Sequence, residues 1–344
     1  MTSRHTNNFD ALRLIAATMV IVHHTSTFHI LPFKPAADLN FGFIGVATFF
    51  IISGYLIMMS WDRNPVLTRF MWARVLRIFP GLIAAVAFTA FVIGPLLTTL
   101  PLGTYFTSSE TFRYLFTTDL IHLDQSLPGV VFNYGYPVSV NTPLWTLPVE
   151  FKMYLFVAIL GVAGALRSRM FVLGAFVVAC LGAYRPTGAV FGFLTYWGIS
   201  AFITGLLGAT NNYPLFFLMG SLLFLFKDLV RFDARIAIPL LIVWLASHYT
   251  SHNELASMVC LPYVVLWAGL QSTRGLRDVS RVGDLSYGLY IYAFPIQHVW
   301  MKWTGLNARG YGKLLCLVFV TTAPIAFLSW HVVEKRAMRF KSRA

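Results

Sequence analysis

Charge is what this sequence has least of. Of 344 residues only 11% are Asp, Glu, Lys or Arg, against about a quarter in an ordinary soluble domain, so a soluble enzyme is nearly excluded. Acidic residues are the scarcer sign, 13 against 26 basic, and the formal net charge is +13. Cysteine is almost absent. Cys180, Cys260 and Cys316 lie far apart in apolar stretches, which gives neither a disulfide framework nor a metal-ligand spacing, so no metal is expected. The sequence also has no glycine-rich nucleotide loop, zinc motif, low-complexity linker or internal repeat. Its polar start, Met1 to Asp10, runs into an apolar segment with no small-residue cleavage site. That pattern reads as an uncleaved first span with no soluble domain before it.

What is abundant is apolar length. Hydrophobic residues make up 57% of the chain, and mean hydropathy is +0.69. Runs near 20 residues recur from Phe9 to Val333, as expected of an all-α, polytopic integral membrane helical bundle. Eleven segments are candidates, and the basic residues choose among the topologies. If the segment within residues 186–209 is re-entrant or lies at the surface, ten spans remain and both termini are cytoplasmic. Arg4, Arg63, Arg69, Arg74, Arg77, Arg167, Arg169, Lys227, Arg231, Arg235, Arg274, Arg277, Arg281, Lys335, Arg336, Arg339, Lys341 and Arg343 then fall inside. Only Lys34, Arg113, Arg185, Lys302, Arg309 and Lys313 fall outside. This asymmetry favours about ten transmembrane helices and explains the positive charge without nucleic acid. The chain reads as a single domain, 1–344, with its longest connection, residues 101–141, outside. That loop is rich in Tyr and Phe, which either stack on sugars or anchor it at the interface.

Ionisable residues inside spans cost about 2.5 to 3.5 kcal/mol on insertion scales and mark functional candidates. In the first span Arg13 and His24 are eleven residues apart, which returns them to within about 20° of one helix face and separates them by about 16 Å along the axis. His23 points elsewhere and reads as a packing residue. Arg13 lies close enough to the cytoplasmic end to snorkel. The fourth span opens Asn141-Thr-Pro-Leu-Trp145-Thr-Leu-Pro148-Val-Glu150. Pro148 is expected to kink it beside Glu150, at a depth matching His24. A carboxylate at that level would orient the imidazole as a general base, or form a structural ion pair or proton relay with it.

Ser53-Gly54 in the second span suits close helix approach, with substrate contact by Ser53 a secondary reading. Arg74 and Arg77, three apart, share a helix face and could clamp a phosphate, although topogenic charge explains them equally well. Asp284-Leu-Ser286-Tyr287 opens a later span, where an acid with hydroxyls is first of all a cap.

Taken in order, Arg13 with His24, the FFIISGYLI run, the Arg74 and Arg77 pair, LWTLPVEFKMY around Glu150 and GDLSYGLYIY resemble the membrane acyltransferase family 3 across nearly the whole chain. The resemblance implies transfer of an acyl group, usually acetyl, from cytoplasmic acyl-coenzyme A to hydroxyls of glycans or small molecules. It implies His24 as the catalytic histidine and Arg13 as its motif partner, with Arg74 and Arg77 in the donor-binding region. Combining it with the residue reading gives His24 and Glu150 as catalytic candidates. Arg13, Ser53, Arg69, Arg74, Arg77, Asn141, Trp145, Asp284, Ser286 and Tyr287 are the donor- or substrate-binding candidates. No permanently bound cofactor is expected; acetyl-CoA is the co-substrate, and a glycan and membrane lipid are the other partners. The chain lacks the fused esterase-like domain of commoner members. The expected location is a bacterial cytoplasmic membrane. A multi-span transporter is the competing class, weakened by the absence of inverted repeats, and a membrane scaffold would leave Arg13, His24 and Glu150 without a use.

Overall fold

The structure is a computed structural model and describes residues 7–27, 39–120, 126–132, 139–183, 212–250, 253–305 and 310–342. Among these residues there is no strand. The helices are α1 (Phe9–Thr27), α2 (Phe41–Arg63), α3 (Leu67–Leu97), α4 (Leu102–Thr107), α5 (Ser109–Arg113) and α6 (Thr142–Val162). They continue with α7 (Arg169–Ala183), α8 (Tyr213–Leu225), α9 (Ala234–Ser247), α10 (Asn253–Leu270), α11 (Leu285–Thr304) and α12 (Tyr311–Lys341). The segment 186–209, expected to be re-entrant, lies outside the described residues.

Five helices, α2, α3, α6, α10 and α12, are long and apolar enough to cross a membrane. Helices α7, α8 and α9 are apolar but shorter, and α1 and α11 carry more polar side chains, among them Asp10, Arg13, His23 and His24 in α1. Large apolar side chains are exposed along the same helices, including Ile83, Phe91 and Val92 on α3, Ile159 and Val162 on α6 and Val320 and Leu328 on α12. Exposure on that scale is costly in water and suits contact with hydrocarbon.

The chain divides into two compact units. The first comprises residues 1–12, 46–71 and 149–277. Its tightest contact is a crossing of α2 with α8. A Cβ on Gly54 would collide with the Phe217 carbonyl, and one on Gly220 with the Ile51 carbonyl. Ser221 Oγ donates to the Gly54 carbonyl at 3.1 Å. Small residues here let two backbones approach as membrane helices do. Asn8 ties the start of α1 to the end of α10, its Nδ2 donating to the Ala268 carbonyl and its Oδ1 accepting from Thr273 N–H.

The second unit comprises residues 13–45, 72–148 and 278–344. Here α11 packs on α12 with Gly288 against Ala326. Two helix irregularities leave carbonyls that side chains fill. In α3, residues 89–93 widen into a π segment, so Gly94 N–H bonds Thr89 rather than Ala90, and Pro95 has no N–H to offer. The stranded Ala90 carbonyl accepts from the fully buried Tyr105 hydroxyl at 2.6 Å, which packs where a Gly94 Cβ would be. In α11, Pro295 withholds the N–H that the Ile291 carbonyl needs. Asn141 Nδ2 supplies it at 2.9 Å.

The expected kink at Pro148 is placed differently. A 3-10 turn at Thr142–Trp145 precedes an α-helical segment that begins at Thr146. Pro148 falls in its first turn, where a missing N–H breaks no intrahelical bond.

Candidate active site

His24 lies near the outer-numbered end of α1, one turn after Ile21. Its ring meets the edge of Phe294 on α11, with centroids 4.9 Å apart and planes at 83°. Phe294 in turn meets His298 edge-on at 4.7 Å, and His298 stacks on Phe132 at 3.8 Å with planes 19° apart. His298 is fully buried and hydrogen-bonds the Ser139 backbone. His24 therefore belongs to a run of rings that starts at His23, whose ring meets it edge-on at 5.5 Å, and reaches the loop at 101–141. Its neighbour His23 lies over Gly42, where a Cβ would strike the ring, as expected of a packing residue.

The turn that carries His24 is held by α11. Gln297 Nε2 donates to the Ile21 carbonyl at 2.9 Å and to Thr25 Oγ1 at 2.6 Å. Thr25 Oγ1 itself donates to the Ile21 carbonyl at 2.8 Å. Neither Gln297 nor His298 is singled out by the sequence reading. The signal was present, since polar side chains in the apolar run from Gly283 to Met301 are expensive by the same rule that marks His24.

The same unit gathers a second set of charges. Arg77 Nη2 pairs with Asp284 Oδ2 at 2.5 Å, and Arg13 acts on the same carboxylate. Ser286 Oγ donates to Asp284 Oδ1 at 2.6 Å. Tyr287 lies under the Arg77 guanidinium and donates its hydroxyl to the Ile78 carbonyl at 2.8 Å. Asp284 is thus an ion-pair partner rather than a cap, and makes no side-chain cap bond to its helix. Arg77, expected to help clamp a phosphate, has its guanidinium committed at least in part to Asp284. Glu334, buried in the π segment of α12, is a further member. It accepts from Ser329 Oγ at 2.9 Å and interacts electrostatically with Arg77 and Asp284. Arg74 is half-buried on the same helix, and Arg69 is exposed.

Asn141 and Trp145 flank the 3-10 turn that opens α6. Asn141 is taken up by the Ile291 carbonyl, and the turn is tied further to α11, because the Tyr290 hydroxyl bonds the Pro143 carbonyl and Thr146 Oγ1. The first role of Asn141 is to fix the start of α6.

Ser53 and Glu150 belong to the other unit, where they meet directly. Ser53 Oγ donates to Glu150 Oε1 at 2.9 Å, and the Tyr154 hydroxyl donates to the same oxygen. Ser53 and Tyr154 are buried. Tyr154, one helical turn after Glu150, follows from the spacing of residues four apart on a helix.

In the loop, Tyr105 and Tyr114 are fully buried, whereas Phe106, Phe112 and Phe116 are exposed. Tyr134 and Tyr136 lie outside the described residues. Burial pushes the Tyr105 phenol up to about 12. Outside the helices, Asp228 accepts a hydrogen bond from Arg169 at 2.8 Å, which holds its carboxyl below the usual range.

A model of the acyltransferase domain family matches residues 6–331. Over nearly its full length the chain is similar to other proteins. It is 29% identical to an O-acetyl transferase of Shigella phage Sf6, with 96% of this chain and 95% of that protein covered. It is 32% identical to nodulation protein 10 of Rhizobium leguminosarum bv. viciae, with 99% and 95% covered. No solved structure matches it significantly.

Proposed function

The chain belongs to the acyltransferase domain family and is an O-acyltransferase, and from that premise we propose that it moves an acetyl group from cytoplasmic acetyl-CoA to a hydroxyl of a glycan. The acetyl group is favoured by the O-acetyl transferase relative. The glycan is favoured by the aromatic loop at 101–141, whose Phe106, Phe112 and Phe116 are exposed. The bundle crosses a bacterial cytoplasmic membrane about ten times with both termini inside, a reading supported by the placement of 18 of the 26 basic residues on one side.

His24 is the general base. It takes the proton of the acceptor hydroxyl as the oxygen attacks the thioester carbonyl, and the tetrahedral oxyanion collapses to the ester as the coenzyme A thiolate leaves. The thiolate then takes the proton from His24, restoring the neutral imidazole. Transfer through an acyl-His24 intermediate is the covalent variant. Glu150, held by Ser53 and Tyr154, is the second group required for transfer. Arg74 and Arg77 serve the coenzyme A phosphates, with Arg13 and Asp284 setting the charge around Arg77, and Arg69 adding positive charge at the entrance.

The observation that carries this reading is the match of the family over nearly the entire chain, together with a histidine held between Phe294 and the Gln297 clamp. The test is direct: purified protein with labelled acetyl-CoA and candidate glycans yields labelled glycan, and His24→Ala does not. Transfer at the wild-type rate by His24→Ala removes His24 as the base. Labelling of no glycan, with a small hydroxylated molecule labelled instead, moves the acceptor to that class.

A further inference from the structure

Gln297 is 1% exposed, and both hydrogens of its amide are used: one on the Ile21 carbonyl, the other on Thr25 Oγ1. The assignment of nitrogen and oxygen is fixed by chemistry. The Ile21 carbonyl can only accept, and Thr25 Oγ1, whose hydrogen already points to that carbonyl, accepts as well. The nitrogen must therefore face α1, which leaves Oε1 as the other branch of the amide. That oxygen is buried and has no hydrogen-bond partner among the described residues. A buried carbonyl oxygen left unsatisfied costs about 1 to 3 kcal/mol, and native proteins rarely leave one without a partner. The oxygen belongs to a side chain that grips the turn Ile21–Thr25, on which His24 stands. One turn earlier on the same helix, Phe294 touches the His24 ring.

We propose that Gln297 has two functions: its amide nitrogen positions the turn bearing His24, and its amide oxygen accepts a hydrogen bond from the bound ligand beside His24. The ligand group is an N–H or O–H donor. Two sources carry that chemistry in the reaction assigned above: an amide N–H of the pantetheine arm of acetyl-CoA, and a hydroxyl of the acceptor next to the one that reacts. The inference rests on the acetyl-CoA and hydroxyl-acceptor reading, but it does not require His24 to be the base.

The test separates binding from chemistry. The His24→Ala protein, alone and combined with Gln297→Leu or Gln297→Glu, is titrated with acetyl-CoA by calorimetry. If the partner is the pantetheine amide, Gln297→Leu weakens acetyl-CoA binding at least fivefold. Gln297→Glu, which loses the donor to the Ile21 carbonyl but keeps an acceptor oxygen, weakens it clearly less than Leu does. Were Gln297 only a support for α1, the Glu and Leu variants would weaken it equally, since neither side chain can donate to the Ile21 carbonyl. If the partner is the acceptor hydroxyl, acetyl-CoA affinity is unchanged. With His24 intact, Gln297→Leu then raises KM at least fivefold for the glycan that the wild-type protein acetylates. Gln297→Met, which likewise lacks both amide atoms, replaces Leu if the Leu variant does not fold. Unchanged acetyl-CoA affinity together with an unchanged glycan KM leaves a water molecule as the only partner of the oxygen and overturns the proposal. Continued transfer by His24→Ala would sink the general-base reading while leaving the acetyl-CoA titration valid.

Discussion

The side-chain amide of Asn141 donates to the main-chain carbonyl of Ile291 at 2.9 Å, the one position on α11 that Pro295 leaves without its helical partner. One residue type breaks a helix, and another, 150 residues away in the chain, mends the break. Because Asn141 also precedes the 3-10 turn that opens α6, the repair fixes where α6 starts.

Replacement of Asn141 by Leu should therefore destabilise the protein by about 1 to 3 kcal/mol, the cost of an unsatisfied buried carbonyl. Thermal unfolding in detergent reads it. Combining Asn141→Leu with Pro295→Ala, which restores the helical N–H, should recover part of the loss; no recovery would show that Asn141 acts elsewhere.

Arg77 and Asp284 form a partly buried pair, so removing one partner strands the other. Arg77→Ala should cost more stability than Arg77→Ala combined with Asp284→Asn, a sign that a double-mutant cycle measures. Arg74→Ala should raise KM for acetyl-CoA. If Arg74→Ala leaves that KM at the wild-type value, Arg74 is confined to topology.

Ser53→Ala and Tyr154→Phe each remove one donor from Glu150. Each should lower kcat about tenfold or less, whereas Glu150→Ala should abolish transfer. A single hydrogen bond contributes about 0.5 to 1.5 kcal/mol net, at most about tenfold, and one of two donors remains in either variant. Wild-type kcat in Glu150→Ala would remove Glu150 from the chemistry.

At Gly54 and Gly220 there is no room for a methyl group against the opposing backbone. Gly54→Ala should destabilise by about 1 to 3 kcal/mol through forced separation of α2 and α8. Gly174, with open space around its Cα, should accept Ala at no such cost, and equal melting temperatures for the two variants would contradict the close crossing.

The Tyr105 hydroxyl is a donor only while protonated. Its folded value of about 12 lies above the ordinary 10, so the stability it contributes is complete below about pH 10 and is lost as pH rises towards 12. Tyr105→Phe should lower the melting temperature by the same amount at pH 7 and pH 9. A difference that shrinks between those values would mean the phenol ionises early.

Fusions of a reporter after Arg235 and Arg281 should report the cytoplasm. An extracytoplasmic signal at either site would refute the ten-span topology.

The candidates for the site come from the sequence. The cost of charge in an apolar run picks out Arg13, His24 and Glu150 without coordinates, and the spacing of Arg74 and Arg77 places them on one face of what is indeed a continuous α3. Partnerships were not legible. That Ser53 meets Glu150 rather than only packing a helix, and that Asp284 binds Arg77 rather than capping α11, depends on contacts across 97 and 207 residues of chain. Helix periodicity carries no information at that range. Pro148 was misleading because a proline's effect depends on where the helix begins, and a 3-10 turn moved that start to Thr146.

The sequence alone determined the apolar character of the chain and carries the proposed orientation. Its poverty in charge requires an apolar environment, and the asymmetry of its few basic residues favours one orientation, because both follow from composition along the chain. Only the tertiary structure decided which polar atoms satisfy one another. In an apolar interior every donor and acceptor must find a partner in the fold or in a ligand. That requirement gives Asn141 to Ile291 and Tyr105 to Ala90, and leaves the Gln297 oxygen for what the protein binds.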